Sequence, residues 1–129
     1  MVQVLHLPDV DCRWGRAEEL GQDPHFRERY DVVLARAVAD LAELAEYCLP
    51  LCRKGGCFIA SKGVDVDAEI EGASDAIRLL GGELGKVKTY ELPGLKEPRS
   101  LVLIEKVGTT PAKYPRRPGM AHKRPLSAD

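Results

Sequence analysis

The chain has 129 residues, of which 30% are charged and 44% apolar, proportions typical of a globular protein that buries one hydrophobic core. No apolar run reaches the roughly 20 residues of a membrane span, and the first residues do not have the pattern of a signal peptide. Four cysteines are too few for a disulfide scaffold. Composition thus excludes membrane-spanning and disulfide-stapled classes and favours a reducing compartment.

The net charge of −1 is unevenly distributed. From Lys106 onward there are six basic residues and one acidic residue, a net charge of +5, so the preceding residues carry −6. This basic segment predicts a polyanionic partner. The alternative is a charged end that only keeps the chain soluble.

The N-terminal part predicts short elements. Val2–Leu7 alternates weakly and predicts a strand, and a loop follows over 8–15. Arg16–Leu20 predicts one helical turn. Asp23, followed by proline, predicts the N-cap of a short helix that ends near Arg29.

Tyr30–Ala35 is a run of apolar residues without alternation, which predicts a strand buried on both faces. Arg36 follows at its carboxyl end, where open α/β sheets gather ligands, so an anion is expected there. The alternative for Arg36 is an ion pair with a surface carboxylate.

Asp40 and Glu43 have the spacing of a capping box, and a helix with one apolar face follows over 41–48. Cys57–Ser61 predicts a second buried strand, which ends before Lys62. A helix is expected over 67–80, ended by glycine at 81 in the left-handed conformation.

Lys86–Leu92 predicts a strand near the sheet edge, and Ser100–Val107 predicts another. Because the loop between them is short, we expect an antiparallel pair. After Gly108, four prolines among basic residues exclude a regular helix or a central strand.

Strands that alternate with helices and finish in an antiparallel pair predict an α/β sheet with one reversed edge strand. Glu18, Arg36 and Lys62 each follow a predicted strand, so we expect all three at the carboxyl edge. The structural alternatives are a helix-start carboxylate for Glu18, an ion pair for Arg36 and a solvated loop lysine for Lys62.

Several stretches together resemble one known family, the small-subunit ribosomal RNA (guanine-N7-)-methyltransferases, also called glucose-inhibited division protein B. The stretches are Arg16–Leu20 (RAEEL), Tyr30–Ala39 (YDVVLARAVA), Leu44–Leu51 (LAEYCLPL), Gly55–Gly63 (GGCFIASKG), Leu80–Glu83 (LGGE) and Thr110–Gly119 (TPAKYPRRPG). The last stretch makes the resemblance specific, and the match runs from about residue 16 to residue 126.

The resemblance implies the C-terminal half of a Rossmann-like class I methyltransferase sheet with an antiparallel last strand and a basic, Pro-rich tail. It implies methylation of guanine N7 in small-subunit (16S) ribosomal RNA with S-adenosyl-L-methionine as cofactor. The implied cofactor-binding residues are Ala17, Glu18 and Arg36. The implied RNA-binding residues are Arg16, Lys62, Arg99, Lys113, Arg116 and Arg117. No general base is expected, because guanine N7 attacks with a lone pair and has no proton to lose.

The chain departs from the family at its start. Members carry an upstream helical part and a strand that leads into a Gly-x-Gly loop, and this sequence contains no Gly-x-Gly. We therefore expect a truncated chain, inactive in isolation, with methyltransferase-domain residues at 1–106 and a basic tail at 107–129. The alternative is a catalytically inactive RNA-binding remnant of the same family.

The remaining expectations are coarser. We expect a monomer without a membrane partner, located in the cytoplasm, with a plastid as the alternative. A metal or redox role for the cysteines is a third class, but Cys48, Cys52 and Cys57 lack a second cysteine pair, so we expect core thiols and no metal site.

Overall fold

The computed structural model describes residues 8–36, 39–63, 66–94 and 97–127. The helices are α1 (Ala17–Leu20), α2 (Leu41–Cys48), α3 (Asp67–Leu79) and α4 (Met120–Lys123), and the strands are β1 (Tyr30–Arg36), β2 (Cys52–Lys62), β3 (Gly82–Tyr90) and β4 (Arg99–Lys106). A single 3-10 turn, Leu49–Leu51, joins α2 to β2. The strand predicted at residues 2–7 lies outside the described residues.

The four strands form one sheet in the order β1-β2-β4-β3. β1 and β2 run parallel, and β4 runs antiparallel to both of its neighbours. The α/β class and the antiparallel final pair are as predicted, but the reversed strand lies inside the sheet and not at its edge. The reason is topological. The crossover through α3 places β3 two strand positions away from β2, and β4 then returns between β2 and β3, antiparallel to both.

Both long helices cover the same face of the sheet and form the core with it. Phe58, Ala60, Val102 and Ile104 point from β2 and β4 toward the helices and are completely buried. They meet the apolar stripes of α2 and α3, which are Leu41, Leu44, Ala45, Ile70, Ala73 and Ile77. This burial of alternate strand residues against i, i+3, i+4 helix positions holds the layers together.

The opposite face of the sheet is bare among the described residues, and β1 shows this most clearly. Val33 and Ala35 pack against the core, whereas Tyr30, Val32 and Leu34 face solvent, with Leu34 70% exposed. The prediction that this strand is buried on both faces is therefore wrong for the described chain. β1 is also the edge strand of the sheet in the part of the chain that the structure describes.

The segment predicted as a helix from Asp23 consists of turns. The Asp23 carboxylate accepts a hydrogen bond from the His25 N–H at 2.9 Å, which closes a tight turn. Glu28 then adopts a positive φ of 53°. This left-handed conformation stops any helix before β1 begins.

The end of α3 is as predicted. Gly81 has a φ of 89°, and its carbonyl accepts hydrogen bonds from the N–H groups of Val107 at 2.9 Å and Gly108 at 3.0 Å. The glycine thus ends the helix and also anchors the chain that leaves β4. None of the helices in the described ranges is long and apolar enough to cross a membrane.

Candidate functional site at the carboxyl edge and the tail

The carboxyl ends of β1 and β2 lie at one edge of the sheet, next to the end of β3 and the start of β4. Arg36 is paired in register with Ser61, and Tyr90 is paired with Arg99. A pocket of about 360 Å³ opens at this edge, and Arg36, Ser61, Tyr90, Leu92, Pro93 and Arg99 line it. The predicted ligand-gathering edge therefore holds two arginines from separate strands.

Lys62 lies at the same edge but points into the protein. Its side chain is 8% exposed and forms an ion pair with Glu69 at 2.7 Å. The Nζ atom also donates to the carbonyl of Ala39 at 2.6 Å, and Glu69 accepts the N–H of Leu41 at 2.7 Å. Lys62 therefore joins β2 to the starts of α2 and α3, and the geometry does not expose it to RNA.

The same contacts correct the predicted cap of α2. Asp40 makes no side-chain cap, and Glu69 takes its place by binding the N–H of Leu41. Glu43, the predicted second member of the capping box, accepts the hydroxyl of Tyr47 at 2.7 Å instead. A carboxylate from another helix replaces the local one because α2 and α3 pack together at this end.

Glu18 is buried at the start of α1, and Ala17 beside it is half-buried. Its Oε2 atom accepts from Arg16 at 3.1 Å and from the N–H of Gly119 at 3.1 Å. Burial raises the pKa of Glu18, but the hydrogen bonds from Arg16 and from backbone N–H groups outweigh it and keep the pKa below its ordinary value. Glu18 is therefore an ionised acceptor held against the tail.

The three residues that were predicted to meet at one site, Glu18, Arg36 and Lys62, have different surroundings in the structure. Arg36 and Lys62 end neighbouring strands, whereas Glu18 contacts the tail. Among the described residues neither Arg36 nor Lys62 bonds to Glu18. A common site for all three stays a prediction.

The tail is folded onto the body, and Arg27 is one of its anchors. The guanidinium donates four hydrogen bonds to backbone carbonyls, to Gly21 (2.8 Å), Tyr114 (2.6 Å), Thr110 (2.9 Å) and Pro111 (2.9 Å). Three of these carbonyls belong to the tail. A single arginine therefore closes the tail over the turn that precedes β1.

A buried ion pair forms the second anchor. Lys106 is 1% exposed, and its Nζ atom donates to the carbonyls of Leu49 (2.7 Å) and Cys52 (2.8 Å) and pairs with Glu28 (3.0 Å). All three N–H groups of the ammonium therefore have an acceptor. Glu28 also accepts the N–H of Thr110 at 3.0 Å, which ties the tail to the same pair.

The pKa values of this pair have opposing causes. Burial lowers the pKa of Lys106, and the neighbouring Glu28 carboxylate offsets only part of that effect. Burial raises the pKa of Glu28, but the hydrogen bonds from Thr110 and Lys106 outweigh it, so that the pKa of Glu28 lies below its ordinary value. The carboxylate is therefore ionised, and its charge keeps the lysine paired.

Arg116 forms the third anchor, with Glu46 on α2. Glu46 is fully buried and receives three hydrogen bonds from the Arg116 side chain and one from its backbone N–H. Its partner raises the pKa of the Arg116 guanidinium. Arg116 was predicted to bind RNA, but the geometry uses it to hold the tail.

The other basic residues of the tail stay accessible. Lys113 and Arg117 are exposed, and the Lys113 ammonium lies 5.2 Å from the centre of the Tyr114 ring. α4 also shows that the prolines permit a short helix in the tail, contrary to the prediction of no regular helix. The division of the chain at residues 106 and 107 stays a prediction.

Sequence reasoning missed Ser61 and Tyr90 as residues that line the pocket. The only available signal was their position at the ends of predicted strands. Cys48 and Cys52 are buried in the core as expected, whereas Cys57 is only half-buried and does not belong to the core. Burial raises the pKa values of Cys48 and Cys52 to about 12, so neither is a ready nucleophile.

Comparison with known proteins places this chain in a family. A family model described as rRNA small subunit methyltransferase G (GidB) matches residues 1–101. The ribosomal RNA small subunit methyltransferase G of Pelotomaculum thermopropionicum is 53% identical over 122 residues, which are 95% of this chain and 51% of that protein. The protein of the same description from Symbiobacterium thermophilum is 57% identical over 113 residues, 88% of this chain and 46% of the relative.

A third relative of that description, from Lactobacillus delbrueckii subsp. bulgaricus, is 47% identical over 126 residues, 98% of this chain and 53% of the relative. The chain thus spans about half the length of the curated relatives it matches. The predicted resemblance is confirmed over the Rossmann-like sheet described above. The chain belongs to the rRNA small subunit methyltransferase G family.

Proposed function

We propose that this chain is the C-terminal part of an enzyme that transfers a methyl group from S-adenosyl-L-methionine to guanine N7 of small-subunit ribosomal RNA. Two observations support this proposal. The chain belongs to the family, and the carboxyl edge of the sheet holds two arginines, the exposed Arg36 and the half-buried Arg99. The chemistry needs no general base, because the N7 lone pair forms the new N–C bond while the S–C bond of the sulfonium breaks. The protein's task is then to align the two reactants.

The residues present fit part of a cofactor site. The Glu18 carboxylate accepts hydrogen bonds from Arg16 and Gly119, and a carboxylate has the capacity to accept a further one from a hydroxyl group. Ala17 and Glu18 would therefore hold the adenosine side. Arg36 would lie at the junction between the cofactor and the RNA, because it ends a strand at the carboxyl edge.

The fit is incomplete without a glycine-rich loop. Such a loop lets the backbone approach a cofactor closely, and these 129 residues contain no Gly-x-Gly. We therefore propose that the isolated chain does not methylate RNA. The competing proposal is a remnant that binds RNA but no cofactor, and the exposed Lys113 and Arg117, which can meet phosphates without a cofactor site, are the observation that favours it.

The proposed RNA contacts are the exposed basic residues. Lys113 and Arg117 on the tail and Arg99 at the edge would meet phosphates, whereas Arg116 and Lys62 have internal partners. Arg16 is exposed on its outer side although it pairs with Glu18. A soluble cytoplasmic location and a monomeric state complete the proposal.

Calorimetric titration with S-adenosyl-L-methionine separates the two proposals. Binding at micromolar ligand supports the first proposal, in which the chain keeps the cofactor-binding residues. Glu18→Gln should then weaken the binding of S-adenosyl-L-methionine. Glu19→Gln, an exposed neighbour, is the matched control. Absence of heat at millimolar ligand, with RNA binding retained, would favour the remnant.

A further inference from the structure

α1, the segment that carries Ala17 and Glu18, is too short to keep its own conformation. It has four residues and forms a single turn, in which the N–H of Gly21 donates to the carbonyl of Ala17 at 2.8 Å. An isolated turn of this kind is unfavourable, because fixing its backbone costs more free energy than its few hydrogen bonds contribute. The position of Glu18 therefore depends on the elements that pack against α1.

The tail packs directly on the residues that end α1. A Cβ atom added to Gly21 would lie 2.8 Å from Cγ of the fully buried Pro115, so glycine is required for this close approach. Gly21 has a φ of −64°, an ordinary helical value, which means that the contact and not backbone strain requires the glycine. The next residue, Gln22, donates from its side chain to the carbonyls of Pro115 at 2.8 Å and Ala112 at 3.2 Å.

The tail also contacts the side chain of Glu18 itself. The N–H of Gly119 donates to Oε2 of Glu18 at 3.1 Å, and Glu18 is only 5% exposed. Gly119 has a φ of 92°, a left-handed conformation that glycine adopts without strain and asparagine tolerates. Because Arg116 is paired with the buried Glu46, this donor is held in place relative to the body of the protein.

We propose that the tail positions the cofactor side of the site, with Gly119 orienting the Glu18 carboxylate and Pro115 holding α1. This proposal rests on the proposed function, in which Ala17 and Glu18 hold the adenosine. The anchors at Arg27, Lys106 and Arg116 already fix the tail to the body. The hydrogen bond from Gly119 therefore has a separate effect, which is to fix the orientation of Glu18.

Hydrogen exchange measured by NMR on the 129-residue chain tests whether the tail holds α1. Gly119→Pro removes the donor, whereas Gly119→Asn keeps the N–H and is its control. Gly21→Ala collides with Pro115, whereas Gly15→Ala adds a Cβ atom with nothing within 4 Å and is the second control. The amides of residues 19–23 should exchange about tenfold faster in Gly119→Pro and Gly21→Ala, and at the wild-type rate in the controls.

Two further measurements follow the orientation of Glu18. Burial raises the pKa of Glu18, and the N–H of Gly119 is one of the donors that outweigh this effect. The pKa of Glu18, read from its carboxyl carbon shift, should therefore rise toward the ordinary value in Gly119→Pro and stay lowered in Gly119→Asn. The affinity for S-adenosyl-L-methionine, measured by calorimetry, should fall about tenfold in Gly119→Pro and Gly21→Ala.

The outcomes separate this inference from the proposed function. Unchanged exchange rates and an unchanged pKa of Glu18 in Gly119→Pro and Gly21→Ala would overturn the inference. If exchange is faster but the affinity for S-adenosyl-L-methionine equals that of the wild type, the tail holds α1 without positioning the cofactor side, so the inference is overturned and the proposed function stands.

If the wild-type chain binds no cofactor at millimolar concentration, the proposed function gives way to the RNA-binding remnant. The exchange rates and the pKa of Glu18 then still decide whether the tail positions Glu18. Circular dichroism shows whether each variant is folded. Gly21→Ala, which leaves the backbone unstrained, decides the test if Gly119→Pro does not fold.

Discussion

Arg116 of the tail forms a two-point ion pair with the fully buried carboxylate of Glu46. Its Nη2 atom lies 2.8 Å from Oε1 and its Nε atom lies 3.0 Å from Oε2. A planar guanidinium matches a carboxylate in this two-point geometry, and a lysine does not. The tail of this chain is therefore a folded strap on α2, held by a pair that solvent reaches only on the arginine side.

Arg116→Ala should release the tail. Loss of the arginine leaves an unpaired charge at Glu46, so we expect the free energy of unfolding to fall by about 3 kcal/mol. Limited proteolysis should then cut within residues 108–127 faster than in the wild type. Arg117→Ala, the exposed neighbour, is the control and should leave the cleavage rate unchanged.

Lys106→Met should destabilise the protein by a similar amount, about 3 kcal/mol, because Glu28 and two carbonyls lose their donor in a buried position. Urea unfolding followed by circular dichroism measures the change. Lys86→Met, an exposed lysine on β3, should stay within about 0.5 kcal/mol of the wild type. Equal stability of the Lys106 and Lys86 variants would contradict the assigned role of the buried pair.

Acid should weaken the contacts that Glu18 and Glu28 make with the tail. The folded-state pKa values of Glu18 and Glu28 both lie below the ordinary 4.5, so their contribution is fully present above that pH. It is lost as the pH falls through the lowered values, since protons then bind the unfolded state first. The free energy of unfolding should therefore decrease below pH 4.5, and Glu28→Gln should flatten that decrease.

Lys62→Met should act on stability and not on RNA binding, because its ammonium is used by Glu69 and the Ala39 carbonyl. We expect the midpoint of thermal unfolding to fall, while the slope of log RNA affinity against log salt concentration (the salt slope) stays unchanged. Lys113→Met, an exposed lysine of the tail, should show the reverse pattern. A reduced salt slope for Lys62→Met would restore the prediction that Lys62 contacts RNA.

The thiols should react in two classes. Cys12 is exposed, whereas burial raises the pKa values of Cys48 and Cys52 to about 12. At neutral pH a disulfide reagent should modify Cys12 rapidly and leave Cys48 and Cys52 unmodified until urea unfolds the chain. Rapid modification of all four thiols in the folded protein would indicate a looser core.

The sequence predicted the elements that depend on local patterns. α3 was expected over 67–80 and is found at Asp67–Leu79, because its apolar spacing and Gly81 both act locally. The antiparallel pairing of β3 and β4 followed from the short connection between them. These features need no knowledge of distant residues.

Features that depend on distant partners were beyond prediction. The burial of β1 depends on which element covers its outer face, and an apolar run of valine and leucine does not predict that element. Lys62 and Arg116 look like solvated cations in sequence, because their partners Glu69 and Glu46 are fixed only by the packing of helices. Lys106 had a weak signal, since it continues the alternation of buried residues along β4.

The central proposal is that this chain supplies the C-terminal half of a guanine-N7 methyltransferase. The direct test joins the chain to the upstream half of its relative from Pelotomaculum thermopropionicum and measures methyl transfer to undermethylated small ribosomal subunits. The joined protein should methylate guanine N7, and the 129-residue chain alone should show no turnover. A joined protein that folds and binds S-adenosyl-L-methionine yet transfers no methyl group, or clear activity of the chain alone, would contradict the claim.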